Sequence, residues 1–251
     1  MKPLLSVQGL VKRYGALLVT DAVDLDIRAG EVHAVIGPNG AGKTTLINQI
    51  AGEVRSDAGR IWLDGQDVTP WSVAARAQAG LGRSYQITSV IAEFSVLENV
   101  LLAVQAVRGH NFRFWQPVTR TAGLVEAADR YLSLVGLSGV RRRTAGLLSY
   151  GQQRQLELAM TLAIEPEVLL LDEPMAGLGP TETQQMVEVL QGLRARYAML
   201  LVEHDMQAVF ALADRMSVLV YGKVVFCGSP AEVRESAIVR EAYLGDEEIP
   251  A

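Results

Sequence analysis

Cysteine is nearly absent from the 251-residue chain. Cys227 stands alone, so neither an intrachain disulfide nor a thiolate metal centre can form. Histidine is scarce as well: His33, His110 and His204 are too scattered for a His-built metal cluster. No apolar run approaches the ~18 residues that cross a bilayer. Met1 to Tyr14 alternates like a strand and lacks the apolar stretch of a secretory leader, so the expected location is the cytoplasm. Positive charge is in short supply. With 23 Lys and Arg against 28 Asp and Glu the formal charge is −5, which argues against broad electrostatic binding to nucleic acid or an anionic membrane. Arg141-Arg142-Arg143 has no other basic cluster near it and reads as a solvated turn. What the chain does have is 49% hydrophobic residues with 20% charged, enough for a sizeable core and too apolar for wholesale disorder.

The most informative stretch is Gly37-Pro38-Asn39-Gly40-Ala41-Gly42-Lys43-Thr44-Thr45. It follows a buried-strand pattern, Val32 to Ile36, and leads into a helix pattern, Leu46 to Ala51. Strand, Gly-rich turn and helix at this spacing form a phosphate-binding loop. The glycines let successive N–H groups point inward, and the helix N-terminus adds partial positive charge. Lys43 would reach the β- and γ-phosphates of a nucleoside triphosphate, and the Thr44 hydroxyl would help to hold Mg²⁺.

Taken in order, the chain predicts strands at Leu5–Tyr14, Ala22–Ile27 and Ile61–Leu63, the last closed by an Asp64-Gly65 turn. Helical periodicity then dominates, at Val96–Val107, Leu124–Val135 and Leu156–Ile164. Between the first two helices, Arg108–Pro117 reads as a loop. Its Phe112, Phe114 and Trp115 form either a partner-binding patch or a satellite core. After a buried strand at Val168–Leu171 come a helix at Met186–Arg196, a strand at Met199–Val202, a helix at Met206–Ala213, and a hairpin of Met216–Val220 with Lys223–Phe226. The expected fold is α/β, a phosphate-loop NTPase in one domain. Residues 1–86 and 166–251 would make the core with an N-terminal antiparallel β portion, and 87–165 an inserted helical subdomain.

A second chemical cluster is Asp172-Glu173, two carboxylates at the end of a buried strand, the edge where ligands gather in open α/β sheets. Asp172 would hold Mg²⁺ through its hydration shell, and Glu173 would orient or deprotonate an attacking water. Leu148-Ser149-Tyr150-Gly151-Gln152-Gln153 precedes a strongly periodic helix. Ser149 with Gln152 fits a capping box, and spacing alone is satisfied by an ordinary helix start; a capped N-terminus is also an anion site.

Together, the phosphate loop, the Leu148–Gln153 segment, Asp172-Glu173 and His204 resemble, in order and spacing, the nucleotide-binding subunit of ATP-binding-cassette (ABC) transporters, over essentially the whole chain. The resemblance implies ATP and Mg²⁺ as ligands. It implies that Ser149 and Gly151, with Gln152 beside them, meet the γ-phosphate of ATP on a second ATPase subunit, like or related. Tyr14 matches the residue that stacks on adenine, His204 the histidine at the γ-phosphate, and Gln86 the glutamine that senses Mg²⁺ and the attacking water. Met175 to Gly179 matches a loop that crosses the dimer interface. The chain departs from the family at Tyr150, where the signature usually has Gly, and at Gly179, where the interface loop usually has Asp. The first departure leaves the phosphate contacts in place, and the second puts the coupling between the two sites in doubt.

The LSYGQQR form, the Gly82–Gln86 run and the loop around His110 to Trp115 resemble the ATPases of importers for branched-chain amino acids, or for small polar solutes such as urea or amides. Implied partners are membrane permease subunits and, indirectly, a periplasmic or extracellular solute-binding protein. The chain would sit at the cytoplasmic face of the inner membrane, held there by the permease. An exporter or lipid-extraction ATPase shares the same engine. A soluble ABC ATPase acting on nucleic acid or ribosomes fits the short insertion and acidic balance less well.

Overall fold

The computed structural model describes residues 2–84, 90–108 and 122–243. Two sheets share the chain. β1 (Leu5–Tyr14), β2 (Leu17–Ile27), β4 (Ala58–Leu63) and β5 (Gln66–Asp67) form an antiparallel sheet in the order β2-β1-β4-β5. Asp64 and Gly65, both at positive φ, close the two-residue β4–β5 hairpin, the geometry that matches strand twist.

The second sheet contains β3 (Val32–Ile36), β6 (Leu81–Arg83), β7 (Val168–Asp172), β8 (Ala198–Val202), β9 (Arg215–Val220) and β10 (Lys223–Gly228), in the order β10-β9-β3-β8-β7-β6. All neighbours are parallel except β9–β10. Its central strands are apolar on both faces, as a sheet covered on both sides requires. Ala34, Ile36, Leu169, Leu171, Met199 and Leu201 point to one core; Val35, Leu170, Leu200 and Val202 point to the other. On the second side lie the antiparallel sheet and α1 (Lys43–Ala51), which contributes Leu46, Ile47 and Ile50.

On the first side lie α6 (Pro180–Leu193) and α7 (Met206–Leu212). The same core continues into α3 (Val96–Arg108), α4 (Ala122–Leu134) and α5 (Tyr150–Ala163), which follow β6 and precede β7. Val96, Val100 and Val104 of α3 meet Ala128 and Leu132 of α4 at i, i+4 spacing, as packed amphipathic helices should. Of the expected loop after α3, only Arg108 lies within the described residues, as the end of that helix.

Some elements differ from expectation. α6 starts at Pro180, six residues before the predicted helix, because proline is well tolerated at the first helical position, where its missing N–H has no partner to lose. β6 and the short helices α2 (Val73–Gln78) and α8 (Pro230–Glu235) span fewer than two periods, too few to display one, and α9 (Ala237–Tyr243) adds a last helix of seven residues. Arg76 of α2 is 3% exposed and donates to the carbonyls of Gln49, Ile50 and Thr69, which caps the C-terminal end of α1.

Candidate functional site

The strand order places the C-terminal ends of β3, β8, β7 and β6 side by side, so Gly37, Glu203, Asp172 and Arg83 share one sheet edge. The loop leaving β3 is shaped by close backbone approaches. A Cβ on Gly37 would lie 2.1 Å from the Leu219 carbonyl oxygen, and one on Gly42 (φ +105) 2.4 Å from that of Val19. The loop is therefore clamped between β9 and β2, and Gly42 takes a left-handed conformation that other residues adopt only with strain. The N–H of Gly222 donates to Ala41 O at 2.9 Å and ties the turn to the β9–β10 hairpin.

Asn39, Gly40 and Thr44 face solvent, Gly42 and Thr45 are partly covered, and Ala41 and Lys43 are buried. The Lys43 ammonium donates to the carbonyls of Gly37 (2.6 Å) and Pro38 (3.1 Å) and lies across the loop. Burial pulls its pKa below the usual lysine range, against the attraction of Glu173 and Asp172. That attraction places the loop cation and the two strand-end acids within one electrostatic neighbourhood.

Asp172 is 4% exposed, and burial raises its carboxyl above the usual range while Arg83 opposes the rise. Arg83, from β6, lies 3.3 Å from Asp172 Oδ2 and 3.0 Å from Glu53 Oε2, and it donates to Asn48 Oδ1 at 2.6 Å. Glu173 has φ +49, a left-handed conformation that costs a non-glycine residue about 1–3 kcal/mol and recurs at working sites. Its N–H donates to Val202 O at 2.8 Å, which anchors the turn to β8. Exposed His204 places Nδ1 3.9 Å from Glu173 Oε1 and 3.6 Å from Glu203 Oε2.

Glu203 is 1% exposed and accepts from the N–H groups of Met175 (2.8 Å) and His204 (2.8 Å). One buried carboxylate thus fixes both the turn after Glu173 and the backbone of His204. Its sequence signal, an acid ending an otherwise apolar strand pattern, is the same as that of Asp172.

The predicted capping box is present at α5. Ser149 Oγ accepts from the Gln152 N–H, and the Gln152 side chain accepts from the Ser149 N–H, both at 3.3 Å. Tyr150 Oη accepts from Arg154 at 2.9 Å, and a Cβ on Gly177 would lie 3.1 Å from the Tyr150 ring, so that ring packs on the 175–179 segment. Tyr14, half-exposed, ends β1 beside β2, whose Val19 meets Gly42; the Lys12 ammonium lies 5.4 Å from its ring centroid. Gln86 lies outside the described residues.

Residues 20–176 match the ABC transporter family. The chain belongs to that family. As an ABC cassette it binds and hydrolyses ATP. Residues 223–249 of the cassette also match the branched-chain amino acid ATP-binding cassette transporters. It is 36% identical to the high-affinity branched-chain amino acid transport ATP-binding protein BraF of Pseudomonas aeruginosa, over 98% of the chain and 99% of the relative. It is 37% identical to LivG of Escherichia coli K12, described in the same terms, over 98% of the chain and 99% of the relative. The lipopolysaccharide export system ATP-binding protein LptB of Acidithiobacillus ferridurans is 36% identical, over 98% and 99%. A solved ATP-binding cassette of an ABC transporter in its ADP conformation superposes with a TM-score of 0.85 at 28% identity, covering 98% of this chain and all of that one.

The cassette's residues fit a magnesium nucleotide. Thr44 and Asp172 offer hard oxygen donors, and among the described residues no three His, Cys, Asp or Glu side chains could hold a metal by themselves. A cation here would complete its shell from phosphate oxygens and water, as Mg²⁺ does with nucleotides.

Proposed function

We propose that this cassette energises import of branched-chain amino acids, or of a related small polar solute, by closing with a second ATPase subunit around ATP at the cytoplasmic face of the cell membrane. The observation that carries the reading is the gathering of Lys43, Asp172, Glu173 and His204 at one sheet edge in a chain of this family. Lys43 and the loop N–H groups from Asn39 to Thr45 hold the triphosphate, and Tyr14 stacks on the adenine. Thr44, Asp172 and Gln86 hold Mg²⁺, which when bound offsets the charge of the β- and γ-phosphates. Glu173 takes or orients the proton of the attacking water, and His204 faces the γ-phosphate. Ser149, Gly151 and Gln152 complete the partner's site, so neither subunit hydrolyses ATP efficiently alone.

In this reading, core residues 1–86 and 166–251 hold the nucleotide, while the helical block 87–165 docks on a permease and passes closure to it. A periplasmic or extracellular binding protein would deliver the solute to that permease. The similarity at 223–249 to branched-chain amino acid cassettes favours import; the relation to LptB supports export as the second reading.

Glu173→Gln tests the engine: ATP binding should persist, turnover should fall by at least about 100-fold, and a closed dimer should accumulate. Normal turnover would remove Glu173 from this role. Identifying the permease that co-purifies from membrane extracts separates import from export.

A further inference from the structure

α5 is a 14-residue helix whose first N–H groups lack intrahelical partners. The capping box serves one of them, but the Ser149 hydroxyl proton and the Gly151 N–H go elsewhere. Both donate to Oε1 of Glu182, at 3.0 and 3.3 Å. Glu182 comes from the first turn of α6, and its other oxygen accepts from the Gly179 N–H at 3.4 Å. One carboxylate therefore ties together two helix N-termini. The approach depends on Gly151, where a Cβ would lie 2.7 Å from the Glu182 carboxyl group.

These donors are the ones that the proposed function assigns to the γ-phosphate of ATP on the partner subunit, and the present inference rests on that reading. A serine hydroxyl has a single proton to donate, so Ser149 can serve Glu182 or the phosphate and not both. Two anions at hydrogen-bond distance from the same donors also repel. We propose that Glu182 is a positioning residue that holds Ser149 and Gly151 in the open subunit and competes with the partner's γ-phosphate for them. Closure requires Glu182 to swing away, and its negative charge raises the ATP concentration at which two subunits join. Because Glu182 also holds the Gly179 N–H, its departure frees the end of the segment that runs from Glu173 to α6. Arrival of one subunit's nucleotide is thereby felt in the turn that carries the other subunit's Glu173.

The test uses the full chain in the Glu173→Gln background, with ATP-driven dimerisation followed by sedimentation. A fluorescent ATP analogue at dilute protein measures loop affinity separately. Glu182→Gln keeps one acceptor oxygen for Ser149 and Gly151 and removes the charge, giving up only the longer Gly179 contact. Its dimerisation midpoint should fall at least about fivefold in ATP, the size of one like-charge contact at about 4 Å in water. Glu182→Ala should shift the midpoint the same way while lowering the melting temperature, because it also removes the caps. An unchanged or raised midpoint for Glu182→Gln overturns the competition, and so does a midpoint that follows melting temperature rather than charge. Absence of any ATP-dependent dimer in the Glu173→Gln parent overturns the composite site itself, a failure distinct from these.

Discussion

His33 offers a sharp test of how the core around the phosphate-loop strand is held. It lies on β3 and is 1% exposed. Nδ1 sits 3.0 Å from the Asp26 carbonyl and Nε2 2.8 Å from Ser217 Oγ. A carbonyl can only accept, so Nδ1 carries the proton and Nε2 accepts from the serine. Burial pushes the pKa down to about 4 from an ordinary value of 6.5, and nearby Arg215 adds to the fall while Glu31 and Asp26 resist it. The unfolded chain therefore takes up a proton more readily than the folded one. The stabilisation from keeping His33 neutral is complete above pH 6.5 and is lost as pH falls toward 4. At 1.36 kcal/mol for each unit of pKa difference, stability should drop by about 2 kcal/mol between about pH 7 and about pH 4.5 from this residue alone. Asp26 is held below the usual carboxylate range, chiefly by its hydrogen bond from Arg215, so its contribution is lost only at lower pH. Urea unfolding at a series of pH values, on wild type and His33→Gln, isolates the effect. The wild-type curve should fall more steeply in this window, whatever the absolute stability of the variant. Parallel curves would mean that His33 is not buried neutral in the fold.

Two further outcomes follow from the site. Gly42→Ala puts a Cβ against the Val19 carbonyl and strains a left-handed residue, whereas Gly40→Ala (φ +79) meets nothing within 4 Å and suffers strain alone. Gly42→Ala should therefore lose about 2 kcal/mol more stability than Gly40→Ala, with weaker ATP binding by calorimetry; equal losses would mean that β2 does not clamp the loop. Arg83→Gln leaves the buried Asp172 carboxylate without its nearest guanidinium and should cost about 3 kcal/mol in chemical unfolding. Adding Asp172→Asn should return part of that loss, and strictly additive losses would show that the two side chains are uncoupled.

Elements whose chemistry is written in a few consecutive residues can be read before any fold is known. The phosphate loop is legible because three glycines, a lysine and a threonine must follow one another there. Asp172 and Glu173 are legible because acids seldom end a run as apolar as Val168 to Leu171, and the α5 start because a capping box spans four positions. β6 and α2 were not legible, because each spans fewer than two of the periods that would reveal it. Which groups govern these motifs depends on long-range packing. Arg83 reaches Asp172 across 89 residues of sequence, Glu203 reaches the Met175 N–H across 28, and Glu182 reaches Ser149 across 33. Each is an ordinary charged residue in its local context. It acquires a role only because strand order and helix packing bring a buried or donor-rich partner within about 3 Å, where direction and desolvation set the strength of the contact.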